Sequence, residues 1–488
     1  MTQKKVLITH SYYYKFDAKQ WKSKRYYPPL GTLYAASILR EAGADLIFHD
    51  TNLLNNASEI QPLFLQHNPD ILLIYDDGFN YLTKMCLTNM RDAAFEMIKM
   101  GSSSGCVVIV CSSDSTDHYA EYLEVGADYI ILGEGEHTLK ELYGNLKKDI
   151  INPSEIQGIV YQADGQIVKN QPRTVIKDLD SLPLPAWDLV DMDQYKNIWL
   201  KNHGYFSLNI ATTRGCPYDC NWCAKPIYGR KYNSRSPENV VQEIDFLVKK
   251  YGVSHFWYCD DIFGLERGWV SQFRELAGQK NLKFTYTVQS RADLVIKDNI
   301  AEDMAATGAD IVWLGAESGS QKILDAMNKG QTVEEIANAR HVLGKNGVGV
   351  AFFIQFGYLG EELEDIRKTI KMVLDLMPDD IGISISYPLP GTIFHQQVKK
   401  ELNEKANWAD SDDLTLMYKG AFSADYYRRL HHYLHKLFRR KQRISSLKTS
   451  VFKLSSWNFN KIRELVSIVY YIPAIWLDKR MLKKHGGI

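Results

Sequence analysis

Cysteine is scarce. The 488-residue chain has seven, too few for a disulfide-stapled scaffold. Three of them fall between positions 216 and 223, a grouping that reads as metal binding in a reducing compartment. Long apolar runs are also missing. No stretch of 18 apolar residues occurs, so no membrane-spanning helix is expected. The nearest approach, 465–477, is interrupted by Pro473. The opening MTQKKVLITHSYYYKF has no apolar stretch of signal-peptide length, and a cytoplasmic protein is expected. Neither sign of charge is in excess: 58 Lys+Arg oppose 58 Asp+Glu. With 24% charged and 45% hydrophobic residues, the composition is that of a globular chain, not a disordered, collagen-like or polytopic membrane one. No internal repeat or low-complexity tract is present.

The charge balance conceals an asymmetry. Residues 420–488 carry 15 Lys/Arg and 3 Asp/Glu, a net of +12, so the rest of the chain is net −12. A basic tail on an acidic body implies an anionic partner, such as a membrane surface. Within the tail, Tyr426, Leu430, Tyr433, Leu434, Leu437 and Phe438 follow helical spacing.

The alternation of apolar runs organises the rest. Strands are expected over 6–9, 45–49, 70–75, 106–111 and 129–132, with helices over 33–42, 60–67 and 83–100. This pattern predicts a doubly wound parallel sheet in residues 1–150, with ligands at the carboxyl ends of its strands. Residues 151–205 read as a linker with a small hairpin at ADG. Six further strand–helix units over 206–395 predict a partial (β/α)6 barrel, whose chemistry belongs at the carboxyl ends of its strands. Residues 396–488 read as a basic helical region.

RGCPYDCNWC comes directly after the first barrel strand and places Cys216, Cys220 and Cys223 in one loop. A structural zinc site wants four ligands, usually in two pairs, and the next cysteine, Cys259, stands alone. Three thiolates suit three corners of a [4Fe–4S] cube, whereas an electron-transfer cluster has four cysteine ligands. The fourth iron is then open to a substrate or cofactor.

CxxxCxxC in this position resembles the radical S-adenosylmethionine (SAM) superfamily. The segments PPLGTLYAASILREAG (28–43), GEGE (133–136), LPLPAWDLVD (182–191), YCDDIF (258–263), QSRAD (289–293), GAESG (315–319), GYLGE (357–361) and YPLPGT (387–392) resemble its cobalamin-binding branch. That branch holds the anaerobic magnesium-protoporphyrin ester cyclase type and many methyltransferases. The resemblance covers about residues 1–400.

The resemblance implies that Cys216, Cys220 and Cys223 hold a [4Fe–4S] cluster whose open iron chelates SAM. Reductive cleavage then gives a 5′-deoxyadenosyl radical. It places Trp222 against the cluster or the adenine, and Asp260 and Asp261 at the methionine amino group. Glu317 would reach the ribose hydroxyls. Ser290 and Arg291 end the third strand, where the guanidinium fork suits a carboxylate. It implies cobalamin in the N-terminal Rossmann-like domain, with Gly133 and Gly135 as close-approach glycines and the two glutamates of GEGE without a role. The base-off cobalamin motif D-x-H-x-x-G is absent, and His10 and His118 are expected to be structural.

The expected activity is cobalamin-dependent methyl transfer to an unactivated carbon, with a radical cyclase or rearrangement enzyme as the alternative. The expected partners are a small-molecule or lipid-like substrate and a one-electron reductant of flavodoxin or ferredoxin type, with no nucleic acid. The tail is expected to form a solvated lid that closes over the substrate, with peripheral contact with an anionic membrane as the alternative. A transfer-RNA methylthiotransferase would need three more clustered cysteines. Of Cys86, Cys106 and Cys111, the last two bracket one strand, about 17 Å apart, and cannot share a cluster.

Overall fold

The structure, a computed structural model, describes residues 3–85, 87–148, 152–224, 227–402, 407–450 and 459–487. The chain forms two compact units, residues 1–217 with 225–288 and 407–413, and residues 218–224 with 289–406 and 414–488.

Five parallel strands open the chain: β1 Lys5–Thr9, β2 Asp45–His49, β3 Ile71–Tyr75, β4 Val107–Cys111 and β5 Tyr129–Ile131. The Val/Ile/Leu runs of β1, β3, β4 and β5 are buried on both faces, as a parallel sheet covered by helices on both sides requires, whereas the edge strand β2 is only partly buried. On one face Val6, Ile8, Leu73 and Ile109 pack with Leu139 and Leu142. On the other Leu7, Leu72, Ile74 and Val108 pack with Met97 and Ile98. The period of two sends Cys111 to the first face and Cys106 to the second, so these thiols do not meet. Cys86 lies outside the described residues. The strand order β2-β1-β3-β4-β5 reverses between β1 and β3, and such a switch point opens a ligand crevice at the carboxyl ends.

The ADG hairpin does more than link. β6 Ile159–Ala163 pairs antiparallel with β5, and β7 Gln166–Lys169 closes the edge, giving seven strands. Asp164 and Gly165 both have positive φ, 49° and 72°, as a two-residue hairpin turn demands. The same stretch holds a helix, Met192–His203, that the linker reading did not anticipate. Asp191 caps it by accepting from the Gln194 N–H, and Gly204 ends it at φ 80°.

The barrel strands are β8 Ser207–Ile210, β11 His255–Tyr258, β12 Thr285–Ser290, β13 Ala309–Glu317, β14 Gly349–Phe356 and β15 Asp380–Ile385. They form one sheet in the order β15-β14-β13-β12-β11-β8, with helices such as Pro237–Tyr251, Val333–Lys345 and Leu363–Leu376 between them. A short antiparallel ribbon, β9 Thr213–Arg214 with β10 Asn233–Ser234, brackets the cysteine loop.

Two long helices, Ala424–Ser450 and Phe459–Lys484, end the chain. Tyr426, Leu430, Leu434 and Phe438 of the first are buried, as their spacing predicts. Lys436 pairs with Asp478 at 2.6 Å, and Arg439 with Asp380 at 2.6 Å. Pro473 lies inside the second helix without ending it. Val466, Val469, Tyr470, Ile472, Trp476 and Leu477 of that helix are exposed. No helix among the described residues is long and apolar enough to cross a membrane.

Candidate active site

In the first unit, the path into the cysteine loop is tightly constrained. Gly215 has φ 78°, and a Cβ there would stand 2.1 Å from the Lys231 carbonyl oxygen, so only glycine fits. The Cys216 N–H donates to the Gly229 carbonyl at 3.4 Å. Just before them, Arg214 is buried between Glu134 (2.6 Å) and Glu136 (2.8 Å). Its guanidinium also lies 5.1–5.2 Å from the ring centroids of Tyr34, Phe79 and Tyr228. Burial, and then repulsion from Glu136, push the Glu134 carboxyl above its ordinary range. Glu136 opens the helix Glu136–Leu146, where negative charge is favoured. The carboxylates left without a role in the sequence therefore hold an arginine. Gly135 is a close-approach glycine as expected, but what it approaches is protein: a Cβ would lie 2.7 Å from Cys111 Sγ and 2.9 Å from Tyr75 Oη. Gly133 adopts φ 66°.

Asp260 lies just after β11 and is buried. It accepts the Thr212 and Thr213 N–H groups at 2.7 and 2.9 Å and the Thr212 hydroxyl. Burial pushes its carboxyl up to about 7. Asp261 is partly exposed and pairs with Lys84 at 2.7 Å.

In the second unit, residues 218–224 are moored to the chain after the helix Gln321–Ala326. The Asn221 N–H donates to the Met327 carbonyl (2.9 Å), and the side-chain amides of Asn221 and Asn328 donate to the carbonyls of Ala326 (2.9 Å) and Asp219 (2.8 Å). Arg291 does not hold its fork free for a ligand carboxylate. Nε donates to Asp293 Oδ1 (2.8 Å), and the two Nη atoms to the carbonyls of Lys329 (2.7 Å) and Gly330 (3.0 Å). Its guanidinium lies 3.8 Å from the Tyr218 ring centroid. Ser290 is buried beside it in sequence.

Glu317 ends β13 at φ 55°, a left-handed conformation that costs a non-glycine residue about 1–3 kcal/mol and marks functional positions. It pairs with Lys329 at 2.8 Å, both side chains buried. The ammonium of Lys329 lies 5.8 Å from the Trp222 ring centroid, and the charge of Cys220 also acts on it. Trp222 Nε1 and Gln331 Oε1 are buried without a hydrogen-bond partner among the described residues, and a group seated beside them would satisfy them.

Residues 210–373 match the family model of the Radical SAM superfamily. The barrel is a radical SAM domain. The donor set of that domain fits a [4Fe–4S] cluster: three thiols on one half-buried loop, and a buried indole N–H, between the second and third of them, with no partner among the described residues.

Two relatives extend the likeness beyond the radical SAM domain. An uncharacterized methyltransferase of Pyrococcus horikoshii is 27% identical over 396 residues, 78% of this chain and 81% of the relative. An anaerobic magnesium-protoporphyrin IX monomethyl ester cyclase of Rubrivivax gelatinosus is 27% identical over 406 residues, 81% of this chain and 70% of the relative. Among solved structures, the cobalamin-dependent SAM radical enzyme OxsB superposes with a TM-score of 0.74 at 17% identity, covering 99% of this chain and 73% of that one. That likeness is one of fold, and it covers nearly all of this chain.

Arg214 and Lys329 escaped the sequence reading. A cue existed for the first: two glutamates flanking a close-packed glycine need a buried counter-charge, and Arg214 adjoins the most conspicuous motif in the chain.

Proposed function

We propose that this radical SAM chain is a cobalamin-dependent methyltransferase acting on an unactivated carbon of a small or lipid-like molecule. The observation that carries the reading is architectural. A parallel sheet of order β2-β1-β3-β4-β5, with its crevice at the switch point, precedes the SAM domain in one chain, as in a solved cobalamin-dependent relative. Tyr12 Oη, on the loop after β1, and His118 Nε2, just after the short helix Ser113–Asp117 that follows β4, are buried without partners among the described residues, which suits a polar ligand there.

When bound, the cluster and SAM supply a hydrogen-abstracting radical, and cobalamin supplies the methyl group. The chain's own part is to hold and orient. Cys216, Cys220 and Cys223 are the proposed iron ligands and leave one iron open. Trp222 shields the cluster. Asp261, the more exposed of the carboxylate pair, takes the methionine ammonium, while Asp260 braces residues 212–213 behind it. Glu317, with Lys329 as counter-charge, faces the ribose hydroxyls. Arg291 and Ser290 fix the 329–330 turn from the end of β12. Gly133 and Gly135 let the loop after β5 pack closely. His10 is already held by Asp50 at 3.1 Å and by Thr51, and His118 by Glu121 through Nδ1 at 3.1 Å; neither is assigned to cobalt.

The proposed division is 1–150 for cobalamin, 151–205 as connector, 206–395 for SAM and 396–488 as the substrate-side cover. A one-electron donor of flavodoxin or ferredoxin type reduces the cluster, and no nucleic acid takes part. The cyclase relative supports ring formation as the second reading. The basic tail and the exposed apolar residues of the last helix support a cytoplasmic protein in peripheral contact with anionic membrane.

The test is expression with cobalamin supplied. The protein should retain it, its cobalt(II) spectrum should lack hyperfine coupling from an axial nitrogen, and methyl-labelled SAM should pass its label to cobalamin. A folded protein that retains no cobalamin would sink the proposal. Retention without label transfer would favour the cyclase reading.

A further inference from the structure

Arg214 stands two residues before the first cluster ligand, yet its side chain reaches back 80 residues to a loop of the N-terminal sheet. Both carboxylates of that loop engage it, Glu134 Oε1 at 2.6 Å on one Nη and Glu136 Oε1 at 2.8 Å on the other. All three side chains are almost wholly inaccessible, at 2–4% exposure. The rest of the socket is aromatic: Tyr34, Phe79 and Tyr228 surround the guanidinium at 5.1–5.2 Å. The loop itself is anchored. Glu134 Oε2 accepts the Ile176 N–H at 2.5 Å, and Gly135 is wedged against Cys111 and Tyr75.

The backbone between Arg214 and the first cysteine has little freedom. Gly215, at φ 78°, leaves no room for a side chain, since a Cβ there would stand 2.1 Å from the Lys231 carbonyl oxygen, and the Cys216 N–H donates to the Gly229 carbonyl. A displacement of Arg214 therefore passes directly to Cys216. A buried ion triad is a poor source of net stability, because desolvating three charges costs about what their attraction returns. The same triad is strongly directional, since two carboxylates fix both ends of a planar fork.

We infer that residues 133–136 form a socket through which the N-terminal domain sets the position of Cys216, with Arg214 as the positioning residue. This rests on the reading of Cys216 as an iron ligand. The socket gives the N-terminal domain a second task beside cofactor binding: it completes the cluster loop of the radical SAM domain.

The test uses the full chain, reconstituted anaerobically with iron and sulfide. R214M should fold, by circular dichroism, but retain less than half the wild-type iron, and the g-values of its reduced cluster should shift. R214K should recover most of the iron. The deciding variant is E134Q/E136Q, whose altered residues contact the cysteine loop through Arg214. It should reproduce the spectral shift, and adding R214M to it should move the signal no further. Should R214M precipitate, E134Q alone decides, because it leaves one carboxylate for one guanidinium and should give an intermediate shift. Wild-type iron content and g-values in E134Q and E134Q/E136Q would overturn the socket. A wild-type chain that binds no iron would overturn the reading of Cys216 beneath it.

Discussion

Thiolates hold iron where thiols do not, and with three protein ligands no cysteine of this loop has a substitute. The reconstituted radical SAM domain should carry about four iron and four sulfide per chain. Changing Cys216, Cys220 or Cys223 to Ala should each lose most of it by iron and sulfide assay. Full iron in any single variant would contradict the assignment. Asp260 offers a second prediction. Burial raises its carboxyl to about 7, so the folded state holds this proton more tightly than the unfolded chain. That contribution is full below the ordinary carboxylate range and is lost as pH rises to about 7. D260N can keep the bonds to Thr212 and Thr213 without a charge. Its stability relative to wild type should therefore improve by about 2 kcal/mol between pH 5.5 and 8, at ~1.4 kcal/mol per pH unit of linkage up to the shifted value. Thermal midpoints of both proteins at the two pH values check this; a difference independent of pH would contradict it. The placement of the cysteine loop after β8 and of Asp260–Asp261 after β11 was legible because each directly follows a strand with a clear local pattern. Arg214 and Lys329 were not, since their partners lie 80 and 12 residues away and only folding brings them together.

At the scale of elements, strong local periodicity fixed its own boundaries. The helix Pro237–Tyr251 shows how local the signals are, with Pro237 in its first turn and Ser236 capping it by accepting the Asn239 N–H at 3.1 Å. The helix Met192–His203 was hidden because two prolines just upstream made the segment read as extended, although Met192, Tyr195 and Trp199 lie on one buried face. The joining of the hairpin to the sheet was not legible at all, because pairing of β6 with β5 depends on register between segments far apart in sequence. The last helix makes its own prediction. Its exposed stripe includes Trp476 and Tyr470, residue types that sit at membrane interfaces. Three or four engaged basic residues at about 1 kcal/mol each would add weak, salt-sensitive binding. The protein should sediment with anionic vesicles at low salt, less so at high salt, and not when residues after Ser450 are deleted. No sedimentation at low salt would assign the basic tail to the acidic body instead.

At the scale of the whole molecule, a nucleotide-type sheet and a radical SAM barrel lie in one chain, and the chain's likeness to its relatives runs through both. Sequence could read each module from its alternation of strands and helices, but the socket that joins residues 133–136 to Arg214 belongs to neither pattern. The proposed function leaves substrate choice to residues 396–488. The most direct measurement is the anaerobic incubation of reconstituted protein with SAM and dithionite, with quantification of the 5′-deoxyadenosine formed. The account predicts its formation by the wild-type chain and its absence from the Cys216, Cys220 and Cys223 single alanine variants. Formation by any of these variants, or none from a wild-type chain carrying its full iron, would contradict it.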